Sequence, residues 1–448
     1  MNRFRPHPKE TKVTRIQNEP RRTKKERSGF SHRRIVRSLL FTTVLCFATV
    51  KYLKVTEIED NHTMPKFAGK GRPAKCTREE LLKVRSQLIP DFCPTARHRP
   101  HLQSCSLTTA TKCVEPTSWL DDYYSELQKE RDLDVPFLGI SIGCNKGFDA
   151  LGTFRMGTFD SGLDKSAWGK AMLRDGEIHH SVCKQDATAP FKVDQDKKTR
   201  LGEMHCIEPM PATFKMLKGS AKTLEYDTKG FKVVHGAVSN ESGKALFPSG
   251  GMVGGVENKG LANCAAIHDK EKRRQVCEEI DVFTLKEYIA THVKSDGPIH
   301  NLSIDVEGFD GDVLLGAGAE VLGRVEYLEF EYNWMGSWKR QHLHDMVDML
   351  DDIGFVCYWA GLDRLWRITD CWMRYYDIHT WSNVACVNRP SVPRLASKME
   401  AVFRRTLKED KVWMAEKFTE NDRTTQRAKY AGDVIFSTEH EEMTLKYL

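Results

Sequence analysis

"NLSIDVEGFDGDVLLGA", residues Asn301 to Ala317, passes from an apolar run through an acidic turn into a helical pattern. The apolar run, Ile299–Ile304, predicts a buried strand that ends just before Asp305 and Glu307. Gly308 then allows a sharp turn into a helix. Two carboxylates at positions i and i+2 leave a strand on one face, so we expect them to act as a base, bind a metal or contact a cationic cofactor. The structural alternative is that Asp305 only caps the helix.

Six further runs of apolar or β-branched residues predict strands elsewhere in the chain. Mixed charged and apolar segments separate most of these runs, which is typical of βαβ units. The sequence therefore predicts an α/β fold with a mostly parallel sheet and helices on both faces. A polar insertion at about 157–200 follows the first strand and suggests a lid or substrate surface. The six runs are Phe137–Ile142, Met204–Ile207, Phe231–Val234, Val325–Phe330, Gly354–Trp359 and Val384–Val387.

The first strand leads into a glycine-spaced turn, "LGISIGCNKGFDA" at Leu138–Ala150, where Gly143 and Gly147 flank Asn145. Glycines let a backbone turn sharply and approach a ligand closely. The spacing differs from the G-x-G-x-x-G pattern of dinucleotide sites, so a purely structural turn is an equal alternative at this stage. If the turn binds a ligand, the residues after the neighbouring strands should complete the site, because ligands of such sheets bind beyond the carboxyl ends of the strands.

Two of those positions are informative. Glu208, in "MHCIEPMPATF", ends the second predicted strand, where an acidic residue commonly accepts hydrogen bonds from ribose hydroxyls. Ala237, in "VVHGAVSNESG", follows the third, where a small side chain leaves room for an adenine-like ring. The structural alternatives are that Glu208 is only a surface residue before a turn and that Ala237 only follows an ordinary strand end. His179, His180 and His235 are further candidates for a catalytic base, although a single histidine is more often structural.

Taken together, Gly143-x-Asn145-x-Gly147, "IEPMPATFKML", "IDVEGFDGDVLLGA" and "EYLEFEYN" resemble the FkbM family of S-adenosylmethionine-dependent methyltransferases over roughly Phe137 to Arg389. The resemblance implies a Rossmann-like fold of seven strands whose last strand, Val384–Val387, is antiparallel. It also implies methyl transfer, mostly to oxygen, often on sugar or polyketide hydroxyls.

The resemblance also assigns site residues. The turn from Gly143 to Gly147, with Asn145, should face the methionine end of the cofactor, and Glu208 should hold the ribose hydroxyls. Ala237 should lie beside the adenine, and Asp305 near the sulfonium and the α-amino group. Asp305 and Glu307 are the candidates for the catalytic base, and a divalent metal is an open alternative. Ser141 stands where the family usually has an Asp that helps to bind the cofactor's amino group.

The sequence before the predicted fold suggests a membrane protein. Residues 1–34 carry 12 Lys and Arg against 3 Glu, which leaves the rest of the chain with a net charge of −3. The basic tail precedes an apolar segment at 35–55, and this order predicts a single-pass type II signal anchor with the tail in the cytoplasm. A cleaved signal peptide and an organelle transit peptide are the alternatives. Because the body has no basic excess, we expect no nucleic-acid partner.

We therefore predict a stem at 56–115, the methyltransferase domain at 116–389 and a helical extension at 390–448. The body should lie in the lumen of the Golgi or endoplasmic reticulum, with an organelle membrane as the alternative. Cys76, Cys93, Cys105 and Cys113 suggest a disulfide-bonded stem, whereas Cys144, Cys206 and Cys386 lie in apolar runs where a Cys is usually a small buried hydrophobe. Glycosylation sequons occur at Asn61, Asn240 and Asn301, of which Asn301 falls in a predicted core strand.

The leading hypothesis is a membrane-anchored methyltransferase that acts on a hydroxyl of a glycan or related small-molecule acceptor. A rival is an anchored glycosyltransferase in which Asp305 and Glu307 bind a metal and a nucleotide diphosphate. That hypothesis leaves the glycine turn and Glu208 unexplained. A third is a catalytically degenerate binding scaffold, which the absence of an acidic residue at Ser141 favours.

Overall fold

The computed structural model describes residues 73–88, 111, 117–130, 135–174, 191–194, 198–249, 264, 267–373, 376 and 381–409. The chain divides into residues 1–64 and residues 65–448, and all described residues lie in the second unit. The predicted tail and anchor, part of the predicted insertion (175–190 and 195–197), His179 and His180 therefore lie outside the described residues. No helix within the described ranges is long and apolar enough to cross a membrane.

Ten α-helices and one short 3₁₀ helix are formed by the described residues. The α-helices are α1 (Arg78–Leu88), α2 (Ser118–Leu127), α3 (Phe148–Thr158), α4 (Lys165–Arg174), α5 (Pro211–Thr223), α6 (Lys270–Val276), α7 (Leu285–His292), α8 (Asp310–Leu322), α9 (Leu343–Ile353) and α10 (Pro393–Leu407). The 3₁₀ helix is Gly336–Lys339.

Eleven strands form two sheets in the described part of the chain. They are β1 (Phe137–Ile142), β2 (Gly202–Glu208), β3 (Phe231–His235), β4 (Ala237–Ser239), β5 (Gly243–Pro248), β6 (Cys277–Thr284), β7 (Asn301–Ile304), β8 (Tyr327–Tyr332), β9 (Phe355–Gly361), β10 (Arg364–Arg367) and β11 (Ser382–Asn388). The large sheet has eight strands in the order β10-β9-β11-β8-β7-β1-β2-β3, and the small one has the order β4-β6-β5. All seven predicted strands are present in the large sheet.

The large sheet is mixed rather than parallel throughout. Strands β3, β2, β1, β7 and β8 pair in parallel. The predicted antiparallel last strand is β11, which pairs antiparallel with both β8 and β9, and β10 adds an antiparallel hairpin at the edge. Every residue of β1 and of β9 is buried. Since side chains alternate between the faces of a strand, both faces of the sheet are covered there.

The segment predicted as a stem packs in part against the folded body. Leu81, Val84 and Leu88 of α1 are buried, and Cys76 forms a disulfide with Cys371. Arg367 of β10, whose side chain is fully buried, donates hydrogen bonds to Glu400 of α10 and to the carbonyl oxygen of residue 74. Cys93, Cys105 and Cys113 lie outside the described residues.

The interpretation of the apolar cysteines as small buried hydrophobes was wrong. Cys144 and Cys206 are buried but joined in a disulfide, and Cys357 and Cys386 form a second disulfide between β9 and β11. A third joins Cys264 and Cys277. The physical reason is strand adjacency: Cys357 and Cys386 are directly paired residues of β9 and β11, and Cys144, in the turn that follows β1, lies close to Cys206 of the neighbouring β2. Sequence position alone does not reveal this.

Candidate functional site

The order of the large sheet reverses between β1 and β7, where the chain leaves β1 for β2 and β3 on one side and returns for β7 and β8 on the other. A crevice for ligands forms beyond the carboxyl ends of the strands at such a switch point. Gly143 follows β1 and Asp305 follows β7, and the Asp305 amide donates to the Ile142 carbonyl oxygen at 2.9 Å. A Cβ atom at position 143 would lie 1.8 Å from the Asp305 carbonyl oxygen, so only glycine fits here.

The turn between β1 and α3 has an unusual backbone. Gly143, Asn145 and Gly147 all have positive φ, at 75°, 49° and 74°. Glycine adopts this region freely, and Asn is among the residues that tolerate it. The turn is braced from α4, because the Trp168 indole donates to the Lys146 carbonyl oxygen at 2.8 Å. The helix α3, which is 11 residues long, begins directly after this turn, so its N-terminus lies next to the carboxyl end of β1.

Glu208 links this turn to the end of β2. Its side chain is 4% exposed. One carboxylate oxygen accepts a hydrogen bond from the Asn145 amide at 2.8 Å, and the other accepts one from the Met210 amide at 2.8 Å. Both oxygens are therefore held in a defined orientation. Each oxygen of a carboxylate can accept two hydrogen bonds, so these amides do not by themselves exclude hydroxyl donors from a ligand.

The third strand ends beside Glu208. The Gly236 amide approaches the Glu208 carbonyl oxygen at 3.4 Å, and Ala237 begins β4. The His235 ring stacks on Phe214 of α5 with centroids 4.4 Å apart. This packing favours a structural role for His235. Ala237 therefore follows the residue that contacts the Glu208 backbone. It belongs to the small sheet and not to a loop after β3.

The acidic turn after β7 has one exposed and one buried carboxyl group. Asp305 is exposed, whereas Asp310, the first residue of α8, is fully buried. Glu307 is half-buried and has a positive φ of 57°. The Asp310 carboxyl group accepts hydrogen bonds from the amides of Gly308 and Glu331. Burial and, secondarily, the charge of Asp305 raise the pKa of Asp310 to about 8.

A further carboxyl group, Glu331 near the end of β8, completes this side of the crevice. It is 7% exposed and accepts hydrogen bonds from Asn333 Nδ2, at 2.7 Å, and from the Trp381 indole. Burial, followed by the charges of Asp305, Asp310 and Glu307, raises its pKa well above the usual value for a glutamic acid. The acidic residues after β7 and at the end of β8 therefore interact electrostatically, and Glu331 favours the protonated form.

The structure brings Gly143, Asn145, Glu208 and Asp305 together at the switch point. Ser141 lies below them in β1, 7% exposed, in register with Cys206 of β2 and Ser303 of β7. Gly147 ends the turn, and Glu307 and Ala237 lie on the flanking segments. The sequence reasoning missed Glu331. Its signal was the strand-end position in "EYLEFEYN", the same position that identified Glu208 and Asp305.

Asp305 and Glu307 are the residues that the sequence offers as metal ligands. Within the described ranges, no group of three or more His, Cys, Asp or Glu side chains is arranged to hold a metal ion. Asp305 and Glu307 therefore lack a third such ligand in this part of the chain.

Comparison with protein families finds one domain. Residues 175–357 match the family model described as the methyltransferase FkbM domain. The match includes Glu208, Ala237, Asp305 and Glu307 and begins after the glycine turn. It confirms the resemblance to the FkbM family, and the mixed α/β fold with one large sheet fits a methyltransferase-like fold. No curated protein and no solved structure matches the chain.

Proposed function

We propose that this chain, which carries a methyltransferase FkbM domain, transfers the methyl group of S-adenosylmethionine to a hydroxyl group of a glycan or related acceptor in the lumen of the secretory pathway. The observation that carries the proposal is the contact between the Asn145 amide and the Glu208 carboxylate at the topological switch point. It joins a glycine turn to an acidic strand end, as a nucleoside-containing cofactor requires.

The residues at the crevice fit this cofactor. The absence of a side chain at Gly143 lets the turn pack closely against the Asp305 backbone, and two backbone amides hold the Glu208 carboxylate in a defined orientation. Glu208 would accept the ribose hydroxyls, and the turn would hold the methionine portion. When bound, the cofactor supplies an activated methyl group on its sulfonium.

The chain's own contribution to chemistry is alignment and proton removal. An alcohol loses its proton as it attacks, and a carboxylate at the edge of the crevice can accept that proton. Asp305 is exposed there and touches Gly143 through its backbone, so we assign it as the base. Glu307 lies two residues further on and would orient the acceptor hydroxyl. Asp310 and Glu331 are buried and their pKa values are raised, so the exposed Asp305 is the better candidate for the base.

The lumenal location and the membrane anchor rest on the sequence and on the disulfides. A basic tail followed by an apolar segment favours a type II anchor. The described residues contain four disulfides, which are typical of proteins in oxidising compartments. A glycan acceptor is consistent with this compartment and with the methyl transfer to sugar or polyketide hydroxyls that the family resemblance implies.

The experiment is methyl transfer from labelled S-adenosylmethionine to a panel of glycan acceptors, with the full-length protein. We expect Glu208→Ala and Asp305→Ala to abolish or strongly reduce turnover. Glu203→Ala is the matched control, because it lies at the other end of β2 with a side chain 44% exposed. Normal turnover in both site variants would refute the assignment.

Two parallel measurements separate the alternative functions. Transfer of a labelled sugar from a sugar nucleotide, without methyl transfer, would support the glycosyltransferase. No detectable binding of S-adenosylhomocysteine at millimolar concentration would support the binding scaffold, for which Ser141 is the motivating residue.

A further inference from the structure

A disulfide joins the glycine turn directly to the strand that carries Glu208. Cys144 lies inside the turn and Cys206 lies in β2, 62 residues further along the chain. Cys206 precedes Glu208 by two residues, so their side chains leave β2 on the same face. The amides of Gly143 and Cys144 both donate to the Ile207 carbonyl oxygen at 3.0 Å. The turn and the end of β2 are thus connected by a covalent bond and by backbone hydrogen bonds.

The conformation of this turn requires such support. Asn145 adopts positive φ, which is unfavourable for a residue with a Cβ atom. Its amide must also point at the Glu208 carboxylate, at 2.8 Å. Alternative backbone conformations of this turn would change the direction of the Asn145 amide relative to Glu208. The disulfide restricts those alternatives because it fixes the residue next to Asn145.

We propose that the Cys144–Cys206 disulfide is a positioning element of the cofactor site, which holds the glycine turn and the Glu208 carboxylate in the arrangement that binds the cofactor. This inference rests on the proposed function. A preorganised turn loses less conformational freedom when the ligand binds, so affinity should fall when the cross-link is removed. The cysteines themselves need not touch the ligand.

The chain offers a matched control in the Cys357–Cys386 disulfide. Both of its cysteines are fully buried, and it joins the directly paired residues of β9 and β11. It closes a separation of 29 residues, compared with 62 for Cys144–Cys206. Loop-closure entropy changes slowly with length, so the two cross-links contribute similarly to global stability. Only the first one contacts the switch point.

The test measures the affinity of the full-length protein for S-adenosylhomocysteine by calorimetry. We expect Cys144→Ala/Cys206→Ala to raise Kd roughly tenfold, because the turn must then be ordered by the ligand. We expect Cys357→Ala/Cys386→Ala to leave Kd within about twofold, although both variants melt at lower temperature. Hydrogen exchange should show faster exchange at residues 143–147 in the first variant only. A purely structural bond would not produce this split.

A second, less disruptive variant distinguishes the loss of positioning from misfolding. Cys144→Ala alone removes the disulfide and leaves Cys206 as a buried thiol, which behaves as a small hydrophobe. It should show the same rise in Kd. Unchanged Kd in either Cys144 variant would overturn the positioning role. Failure of both Cys144 variants to fold would overturn it too, because the bond would then be structural. Absence of binding by the unmodified protein would instead refute the proposed function, and the inference with it.

Discussion

Glu208 should stabilise the protein even when no cofactor is present. Its carboxylate accepts two backbone amides at 2.8 Å each and is 4% exposed. A hydrogen bond to a charged group contributes about 1.5–3 kcal/mol to the free energy of unfolding. Loss of both would cost roughly 3–6 kcal/mol if no water replaced the carboxylate as the partner of the two amides. The amide-bearing residues Asn145 and Met210 are only half-buried, so water can replace part of the loss. We therefore expect Glu208→Ala to cost about 2–3 kcal/mol.

Glu208→Gln gives a graded test of the same reasoning. The amide side chain keeps one acceptor oxygen and turns a donor towards the second backbone amide, so we expect about half the loss. In a domain of this size about 1–2 °C of melting temperature corresponds to 1 kcal/mol, which predicts a fall of roughly 2–6 °C for the alanine variant. The assay is a thermal melt without ligand. A melting temperature within about 1 °C of that of Glu203→Ala would refute the bracing role.

Three further predictions concern other parts of the molecule. Burial raises the pKa of Asp310 from 3.8 to about 8, so the folded state holds a proton that the unfolded state releases. The protonated Asp310 therefore contributes fully to the stability of the fold below pH 3.8, and this contribution is lost as pH rises through 8. The melting temperature should therefore fall between pH 5 and about 9, and less steeply in Asp310→Asn, as pH-dependent melting would show. A fragment of residues 117–448 should melt at a lower temperature than one of residues 65–448, because it lacks α1 and leaves Cys371 unpaired; equal melting would contradict the packing of α1. If the body is lumenal, glycopeptide mapping should find a glycan on Asn240, which is exposed in a turn, and none on Asn301, which is 4% exposed.

The strands that could be predicted from the sequence are those made of apolar residues, which are buried without the help of a polar partner elsewhere in the chain. Phe137–Ile142 is uniformly apolar and buried along its whole length. The strand β10 was missed because Arg364 and Arg367 end it, and the buried Arg367 is compensated by its ion pair with Glu400 and its hydrogen bond to the carbonyl oxygen of residue 74. The small sheet was missed because β6 carries acidic residues and β4 has only three residues. Neither feature is visible without the tertiary partners.

The same distinction applies to the site. Glu208 and Asp305 could be predicted because each directly follows a recognisable strand, and strand ends converge at one edge of a parallel sheet. The bonds of Glu331 to Trp381 and of Cys144 to Cys206 could not, because they depend on which strands are neighbours. Strand order brings Trp381, before β11, beside the end of β8.

The departure at Ser141 has a different meaning once its surroundings are known. Ser141 is buried in register with Cys206, directly beneath the turn that the Cys144–Cys206 disulfide holds. An aspartate at 141 would place another carboxylate under a turn whose neighbours already include Glu208 and Asp305, and its charge would be costly to bury there. The chain instead has a neutral residue and a covalent cross-link at this level of the sheet. Under the proposed function, cofactor binding therefore depends on the geometry of the turn rather than on a charge at position 141, and the calorimetric comparison of the two disulfide variants tests that geometry directly.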